Sequence, residues 1–183
     1  KTLVREGAFR AASVPALIHQ LKRPRILWLM LPAGEITEKN LAELRSGLTQ
    51  GDIVIDGGNS YYKRSQAQAL LFKKKNIHFL DVGTSGGIWG LERGYCLMAG
   101  GDKKAFEKCD PLFQALAAEE GYLHVGPSGA GHFIKMIHNG IEYGMLQAYG
   151  EGFEIMKASD FKFDFENIAR LWNRGSVVQS WML

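Results

Sequence analysis

With 183 residues, of which 46% are hydrophobic and 22% charged, the chain is long enough to enclose a core and fits one domain, or one domain and the start of another. A net charge of +3 is too small to indicate nucleic acid binding, and the basic run at 22–25 is interpreted as a solvated turn. The sequence has no apolar run of 18 residues, no signal-peptide pattern, and two cysteines without metal-motif spacing, which excludes a membrane-spanning helix, predicts no metal site and favours the cytoplasm.

Strands and helices alternate along the first two thirds of the chain. The predicted strands span residues 25–31, 52–56, 77–82, 95–101 and 122–126, and the predicted helices span residues 35–50, 62–75 and 103–118. The first of these strands is a continuous apolar run, which is typical of a strand buried on both faces, and the second is also predicted to be buried. Short glycine-bearing connections between alternating elements predict an α/β fold with a doubly wound parallel sheet.

The pattern changes near residue 127. From His132 to about Ala158 only scattered glycines interrupt a helical pattern, and this length exceeds that of a typical helix in an α/β domain. The sequence then continues helically to Leu183 with no further strand. We therefore predict a sheet domain over residues 1–127 and the start of an all-helical domain over residues 128–183.

The opening of a dinucleotide-binding fold is missing from this sequence. Such a fold begins with a strand, a G-x-G-x-x-G loop and a helix, followed about 20 residues later by an acidic or basic selector. No such unit occurs here, so we expect the first strand–loop–helix unit to be absent and the strands to be the third and later ones. We also expect the apolar strand at 25–31 to be covered, either by a further segment of the molecule or by another chain.

Three glycine-bearing loops follow the first three strands, at residues 31–34, 56–60 and 83–87. In an open parallel sheet, ligands bind beyond the carboxyl ends of the strands. Asn59 and Ser85 supply short hydrogen-bonding side chains in two of these loops. Any one loop could be an ordinary turn, but three in succession favour a ligand site.

The long predicted helix carries one narrow polar stripe among apolar residues that predict a buried helix. At about 100° per residue, four side chains share this stripe: Lys135, His138, Asn139 and Glu142. A solvent-facing polar seam would be the simplest interpretation. However, two glycines flank the stripe, and each lowers helix stability by roughly 1 kcal/mol, which favours close packing or room for a ligand.

The strings DGGNS, DVGTSGG, GYCLMAGG and above all GAGHFIKMIHNGIEYG resemble the 6-phosphogluconate dehydrogenase family, the decarboxylating enzymes of the pentose phosphate pathway. The likeness runs from about Pro24 to Leu183. It implies an incomplete Rossmann-like dinucleotide-binding domain up to residue 127 and the N-terminal part of a helical substrate and dimerisation domain from residue 128. It also implies NADP or NAD as cofactor, a phosphorylated sugar acid as substrate, and a cytoplasmic homodimer that binds neither nucleic acid nor membrane.

The resemblance also assigns roles to particular residues. Lys135 matches the base that removes the C3 hydroxyl proton, for which it must be neutral, and burial lowers a lysine pKa. Glu142 matches the acid that protonates C1 after CO2 has left. Among the substrate-binding residues of the family, His138 and Asn139 match those that hold the hydroxyls, Tyr143 matches one that contacts the phosphate, and Ser85, Gly86 and Gly87 match the loop that holds the carboxylate end. Asn59 matches a residue that contacts both cofactor and substrate, and Leu31, Pro32 and Ala33 match residues that line the cofactor site.

Some features depart from the best-known members of this family. Ile88 and Trp89 stand where many members carry two acidic residues, which resembles a shorter bacterial-type branch that often prefers NAD. The selector that would decide between NAD and NADP is absent. Two alternatives remain: another β-hydroxyacid dehydrogenase of the 3-hydroxyisobutyrate type, or a non-catalytic protein that retains the fold. The presence of both Lys135 and Glu142 favours an enzyme.

Overall fold

The computed structural model describes residues 2–183 and shows an α/β fold, as the sequence predicts. The strands are β1 (Ile26–Leu29), β2 (Ile53–Asp56), β3 (His78–Ser85), β4 (Tyr95–Gly101) and β5 (Ala117–Gly126). The helices are α1 (Thr2–Arg5), α2 (Val14–Gln20), α3 (Glu35–Gly47), α4 (Tyr62–Lys73), α5 (Gly90–Arg93), α6 (Lys103–Lys108), α7 (Asp110–Leu116), α8 (Ala130–Ala158) and α9 (Phe165–Trp172). A short 3-10 turn covers Gly87–Trp89.

The five strands form one sheet in the order β1-β2-β3-β4-β5, which is also their order along the chain. The first three strands are parallel, and β4 and β5 are parallel to each other. The pair β3–β4 is antiparallel, so the prediction of a wholly parallel sheet is wrong at this pair. The physical reason is length: parallel neighbours need a crossover of about a dozen residues or more, and only residues 86–94 connect these two strands.

Helices cover both faces of the sheet, as a doubly wound fold requires. Side chains alternate between the two faces along each strand, so each strand contributes to two cores. One core contains Leu27, Leu29, Val54, Phe79 and, from the helices, Ile18, Leu41, Leu44 and Phe72. The other contains Ile53, Ile55, Leu80, Val82, Leu97, Ala99 and, from the helices, Ala105 and Phe113.

The first strand is less enclosed than its apolar sequence predicts. Leu27 and Leu29 are buried, but Ile26 and Trp28 are only half-buried, and Met30 is exposed beyond the end of the strand. β1 pairs with β2 alone among the described residues. An edge strand has one free side, which explains why a continuous apolar run is not buried on both faces here.

Two helical predictions also differ from the structure. The helix predicted at 103–118 is divided at Cys109 into α6 and α7, and Pro111 lies in the first turn of α7, where its missing N–H costs no hydrogen bond. Continuous helix after Ala158 is wrong, because only α9 forms there. Asp164 caps the start of α9 by accepting the N–H of Asn167 at 3.1 Å, and Gly175 takes a positive φ of 86° beyond its end.

The chain divides into two compact units, one extending to Met136 and the other spanning Ile137–Leu183. The first unit holds the sheet. In the second unit, Phe153 packs against the rings of Phe165 and Trp172, with centroids 5.8 and 5.6 Å away. The helix α8 is continuous across the division. No helix within residues 2–183 has both the length and the apolar character needed to cross a membrane.

Candidate active site

Asn59 ties the loop after β2 to the end of β3. Its Oδ1 accepts the N–H of Thr84 at 2.9 Å, and its Nδ2 donates to the carbonyl of Thr84 at 3.2 Å. Within the same loop, Asp56 Oδ1 accepts the N–H of Gly58 at 3.0 Å. Because Thr84 directly precedes Ser85, the structure brings the predicted Asn59 and Ser85 loops together.

The loop after β1 lies beside the loop after β2. The N–H of Gly57 donates to the carbonyl of Leu29 at 2.9 Å, which joins the two strand ends. Beyond this contact Leu31 is half-buried, whereas Pro32 and Ala33 are exposed. The residues predicted to line the cofactor site therefore sit next to the loop that carries Asn59, at the carboxyl ends of parallel strands.

The loop after β3 turns sharply at two glycines. Ser85 ends the strand and is half-buried. Gly86 and Gly87 adopt φ angles of 131° and 50°, a region that side chains other than glycine rarely occupy. The chain can therefore leave β3 immediately after Ser85, with the loop backbone available to a ligand.

Lys135 is seated directly on the third strand. Its side chain is only 7% exposed. A Cβ built on Gly83 would lie 2.4 Å from the Cβ of Lys135, so the lysine stem occupies the space that a side chain at position 83 would need. Because Gly83 precedes Ser85 by two residues on β3, the structure brings Lys135 close to the Ser85 loop.

A buried polar network surrounds the start of α8, and sequence reasoning missed it. Asp81 on β3 is fully buried and accepts the N–H groups of Gly129 at 2.6 Å and His132 at 3.0 Å. Ser65 Oγ on α4 lies 2.7 Å from Nδ1 of His132. Burial raises the pKa of the Asp81 carboxyl above its usual value, although these two N–H groups oppose that effect. The signal was an acidic residue inside the apolar strand sequence IHFLDV, since a buried carboxylate needs partners.

In the second unit, the remaining stripe residues form a polar cluster on α8. Nδ1 of His138 lies 3.2 Å from Oδ1 of Asn139 and 3.7 Å from Oε2 of Glu142. These three side chains are half-buried, whereas Tyr143 is 72% exposed. The structure thus groups three of the four predicted substrate-site residues of this segment.

The apolar residues of α8 are more exposed than a buried helix would allow, which corrects the expectation from sequence. Ile137, Ile141 and Leu146 are 48%, 61% and 42% exposed. The unit spanning Ile137–Leu183 supplies α9 as its only other helix among the described residues, and one short helix cannot cover this length of α8. The polar stripe is therefore the less exposed side of the helix.

The arrangement offers an amine and a carboxyl group on one continuous helix. Lys135 and Glu142 are seven positions apart, which corresponds to about 10 Å along the helix axis. An amine can accept a proton and a carboxyl group can donate one, so each side chain is of a type used in proton transfer. No cluster of three or more His, Cys, Asp or Glu side chains within residues 2–183 is placed to hold a metal ion.

Comparison with known proteins gives two family matches. Residues 1–126 match the NAD binding domain of 6-phosphogluconate dehydrogenase, and residues 131–160 match the 6-phosphogluconate dehydrogenase C-terminal domain. The chain is 49% identical over 177 residues to YqeC of Bacillus subtilis, which is named as a provisional 6-phosphogluconate dehydrogenase. It is 43% identical over 178 residues to an NAD-dependent, decarboxylating 6-phosphogluconate dehydrogenase of Haloferax volcanii.

A solved structure gives the same result. The 6-phosphogluconate dehydrogenase of Plasmodium falciparum, studied alone, with NADP and with 6-phosphogluconate, superposes with a TM-score of 0.81 at 35% identity. The match covers 89% of this chain and 36% of that one. In the two curated relatives the match covers 97% of this chain, but only 59% and 58% of their own lengths. The chain therefore spans about three fifths of the length of these relatives.

Proposed function

The chain belongs to the 6-phosphogluconate dehydrogenase family, and on that premise we propose that the protein oxidises and decarboxylates 6-phosphogluconate to ribulose 5-phosphate and CO2, with NAD or NADP as hydride acceptor. The observation that carries this proposal is that Lys135 of α8 is buried against Gly83 of β3, two residues before Ser85. A lysine enclosed at the ligand-binding edge of a sheet is suited to proton transfer, because its stem is held against the strand and an amine can accept a proton.

Lys135 is the proposed base. It takes the proton of the C3 hydroxyl as C3 is oxidised, so that the hydroxyl oxygen becomes a ketone. The 3-keto acid then loses CO2, because the ketone accepts the electron pair of the breaking carbon–carbon bond as an enol. The close packing of the lysine stem on Gly83 supports this role by restricting the directions in which the side chain can extend.

Glu142 is the proposed acid that protonates C1 of the enol. Its neighbour His138 lies 3.7 Å away and Asn139 lies beside His138, so the three groups can share one substrate. His138 and Asn139 are proposed to bind substrate hydroxyls, since both side chains can donate and accept hydrogen bonds. The exposed Tyr143 is proposed to contact the phosphate.

The Ser85 loop is the proposed site for the carboxylate end of the substrate. Ser85 offers a hydroxyl group, and the positive φ angles of Gly86 and Gly87 leave the loop backbone open to a ligand. Asn59 is proposed to reach both substrate and cofactor. Its amide is already held by Thr84, and each amide group retains capacity for a further hydrogen bond.

The loops around Asn59 are proposed to hold the nicotinamide end of a dinucleotide. The hydroxyl oxygens of Ser60 and Thr84 are buried with no hydrogen-bond partner among the described residues, and both flank Asn59. Unpartnered buried hydroxyls of this kind suit the carboxamide of a nicotinamide. Leu31, Pro32 and Ala33 are proposed to line the same site. The bound cofactor would supply the acceptor for the hydride that leaves C3.

The proposed assembly is a cytoplasmic homodimer that binds neither nucleic acid nor membrane. Cys96 and Cys109 are both free thiols, which is typical of a reducing compartment. The net charge of +3 gives no strong attraction for polyanions. The exposed apolar residues of α8 support association with another surface.

A direct assay tests the proposed function. The full-length protein is incubated with 6-phosphogluconate and either NAD or NADP, and reduced cofactor, CO2 and ribulose 5-phosphate are measured. We expect the three products in equal amounts. A parallel assay with 3-hydroxyisobutyrate tests the related non-phosphorylated substrate. Turnover of that acid with none of 6-phosphogluconate would contradict the proposal.

A further inference from the structure

We propose that Asp81 is a positioning residue: its carboxylate holds the first turn of α8 on β3 and thereby fixes the place at which Lys135 meets the substrate. The inference rests on the proposed function for the role of Lys135, and it adds a residue that touches neither substrate nor cofactor. Asp81 acts through the backbone of α8.

The first support is the pair of hydrogen bonds that Asp81 makes. Oδ1 accepts the N–H of Gly129 at 2.6 Å, and Oδ2 accepts the N–H of His132 at 3.0 Å. The first N–H groups of a helix lack partners within the helix, and a carboxylate at this end is favoured by the helix dipole. Here the capping group comes from a neighbouring strand, so it fixes the helix end to the sheet.

A second contact holds the same turn from another element. Ser65 on α4 lies 2.7 Å from Nδ1 of His132, and the histidine is only 2% exposed. Nε2 of His132 is buried with no hydrogen-bond partner among the described residues. The Ser65 hydroxyl is therefore the group that orients this ring, and the first turn of α8 is held by both β3 and α4.

The helix backbone also approaches the sheet too closely to move freely. A Cβ built on Gly131 would lie 2.2 Å from the carbonyl oxygen of Asp81 and 2.4 Å from that of Met98. Real Cβ atoms do not approach backbone oxygens this closely, so α8 can occupy this place only because residue 131 is glycine. The first turn is consequently in contact with β3 and β4 at once.

Lys135 makes the next contact between α8 and β3, after the contact of His132 with Asp81. On β3, residues 81 and 83 point to the same face, and on α8, residues 132 and 135 lie on the same side one turn apart. Asp81 meets His132, and Gly83 meets Lys135. Loss of the contact between Asp81 and His132 would loosen the contact between Gly83 and Lys135, since only one helical turn separates His132 from Lys135.

Asp81→Asn in the full-length protein tests this inference. Asparagine keeps the size of the side chain, but its amide can accept only one of the two N–H groups and directs a donor at the other. We expect kcat for 6-phosphogluconate to fall on the order of 100-fold with little change in KM, because a displacement of about 1 Å at a reacting group has such an effect. The matched control is Asp102→Asn, since Asp102 caps α6 by accepting the N–H of Ala105 at 2.9 Å.

A second readout does not depend on catalysis. Acetic anhydride is applied under native conditions, and the acetylation of Lys135 is followed by mass spectrometry. We expect faster acetylation in Asp81→Asn than in the parent, and the parent rate in Asp102→Asn. If the parent protein does not turn over 6-phosphogluconate, the proposed function fails while this readout still tests the contact between Asp81 and α8.

An unchanged kcat and an unchanged acetylation rate in Asp81→Asn would overturn the inference, as would a rise in KM without a fall in kcat. If Asp81→Asn does not fold, Ser65→Ala decides, because it removes only the contact with His132. In that variant faster acetylation of Lys135 supports the positioning of α8 by this network, and an unchanged rate contradicts it.

Discussion

Lys135 differs from an ordinary surface lysine because its aliphatic stem is enclosed by the backbone of β3. Gly83 provides the space, and a side chain at position 83 would displace the lysine. The stem therefore has little freedom to move where it meets β3. A group held in this way contributes more to catalysis than a mobile one, because its orientation is already set.

Replacement of Lys135 by methionine in the full-length protein tests its proposed role. The methionine preserves the apolar stem, so we expect the substrate dissociation constant to change little. We expect kcat to fall by about 100- to 10,000-fold, the range for loss of a general base. Binding is measured by calorimetry and turnover by the absorbance of reduced cofactor. Lys157→Met, at the exposed end of α8, is the control, and near-parental turnover in Lys135→Met would remove Lys135 from the mechanism.

Glu142→Gln tests the second proton transfer. Glutamine keeps the size and polarity of the side chain but cannot supply the proton, so we expect overall turnover to fall about 100-fold or more. The first hydride transfer should remain, which a rapid-mixing experiment would show as a burst of reduced cofactor. Glu151→Gln, further along α8, is the control. Parental steady-state turnover in Glu142→Gln would exclude its role as the acid.

The helical spacing of 3.6 residues per turn was enough to predict the polar stripe, because it depends only on local geometry. His138, Asn139 and Glu142 do lie together on α8. The Asp81 network could not be predicted in the same way. Asp81 and His132 are 51 positions apart, and Ser65 and His132 are 67 apart, so their contacts depend on how three elements pack.

Among the helices, α8 is closely packed at its first turn and has free space around its backbone further along. Gly131 lies against two strands, whereas a Cβ on Gly140 would meet nothing within 4 Å. The same substitution at these two positions of one helix should therefore have opposite effects on stability.

We expect Gly131→Ala to destabilise the protein by about 1–3 kcal/mol, because the added methyl group would overlap backbone atoms that cannot move aside. We expect Gly140→Ala to stabilise it by up to about 1 kcal/mol, because alanine favours a helix more than glycine does. The free energy of unfolding in urea measures both effects. A stable Gly131→Ala variant would show that the start of α8 is not in close contact with β3 and β4.

The sequence predicts the positions of strands and helices well, because hydrophobic pattern and glycine position act locally. It does not predict the direction of a strand, which depends on the length of the connection, or the burial of a strand, which depends on its place in the sheet. The strand at 95–101 was located correctly, yet its direction follows from the short link after Ser85. The burial of the first strand was overestimated, because an apolar run does not reveal that the strand is at an edge.

For the molecule as a whole, we expect the buried carboxyl of Asp81 to make the free energy of unfolding depend on pH. Its pKa is raised above the usual value of 3.8, chiefly by burial, with the N–H groups of Gly129 and His132 and the charge of His132 opposing. A raised pKa in the folded state means that its contribution to stability is fully present below pH 3.8 and is lost as the pH rises through the folded-state pKa.

Asp81→Asn has no carboxyl to titrate at this position, so its stability relative to the parent should increase as the pH rises from about 4 to 7. Urea unfolding of both proteins at several pH values measures this difference, with Asp102→Asn as the control for an exposed aspartate. The opposite slope would show that the two N–H groups outweigh burial and lower the pKa of Asp81.

The sheet order has a consequence for how the protein forms on the ribosome. Each strand from β2 to β5 pairs with the strand that precedes it in the chain, so each can join the growing sheet soon after it emerges. Asp81 enters this sheet with β3, but its partners at positions 129 and 132 are synthesised later. A nascent chain that has not yet reached α8 therefore lacks the two N–H donors of this carboxylate, and the contact between β3 and α8 can form only after α8 has been synthesised.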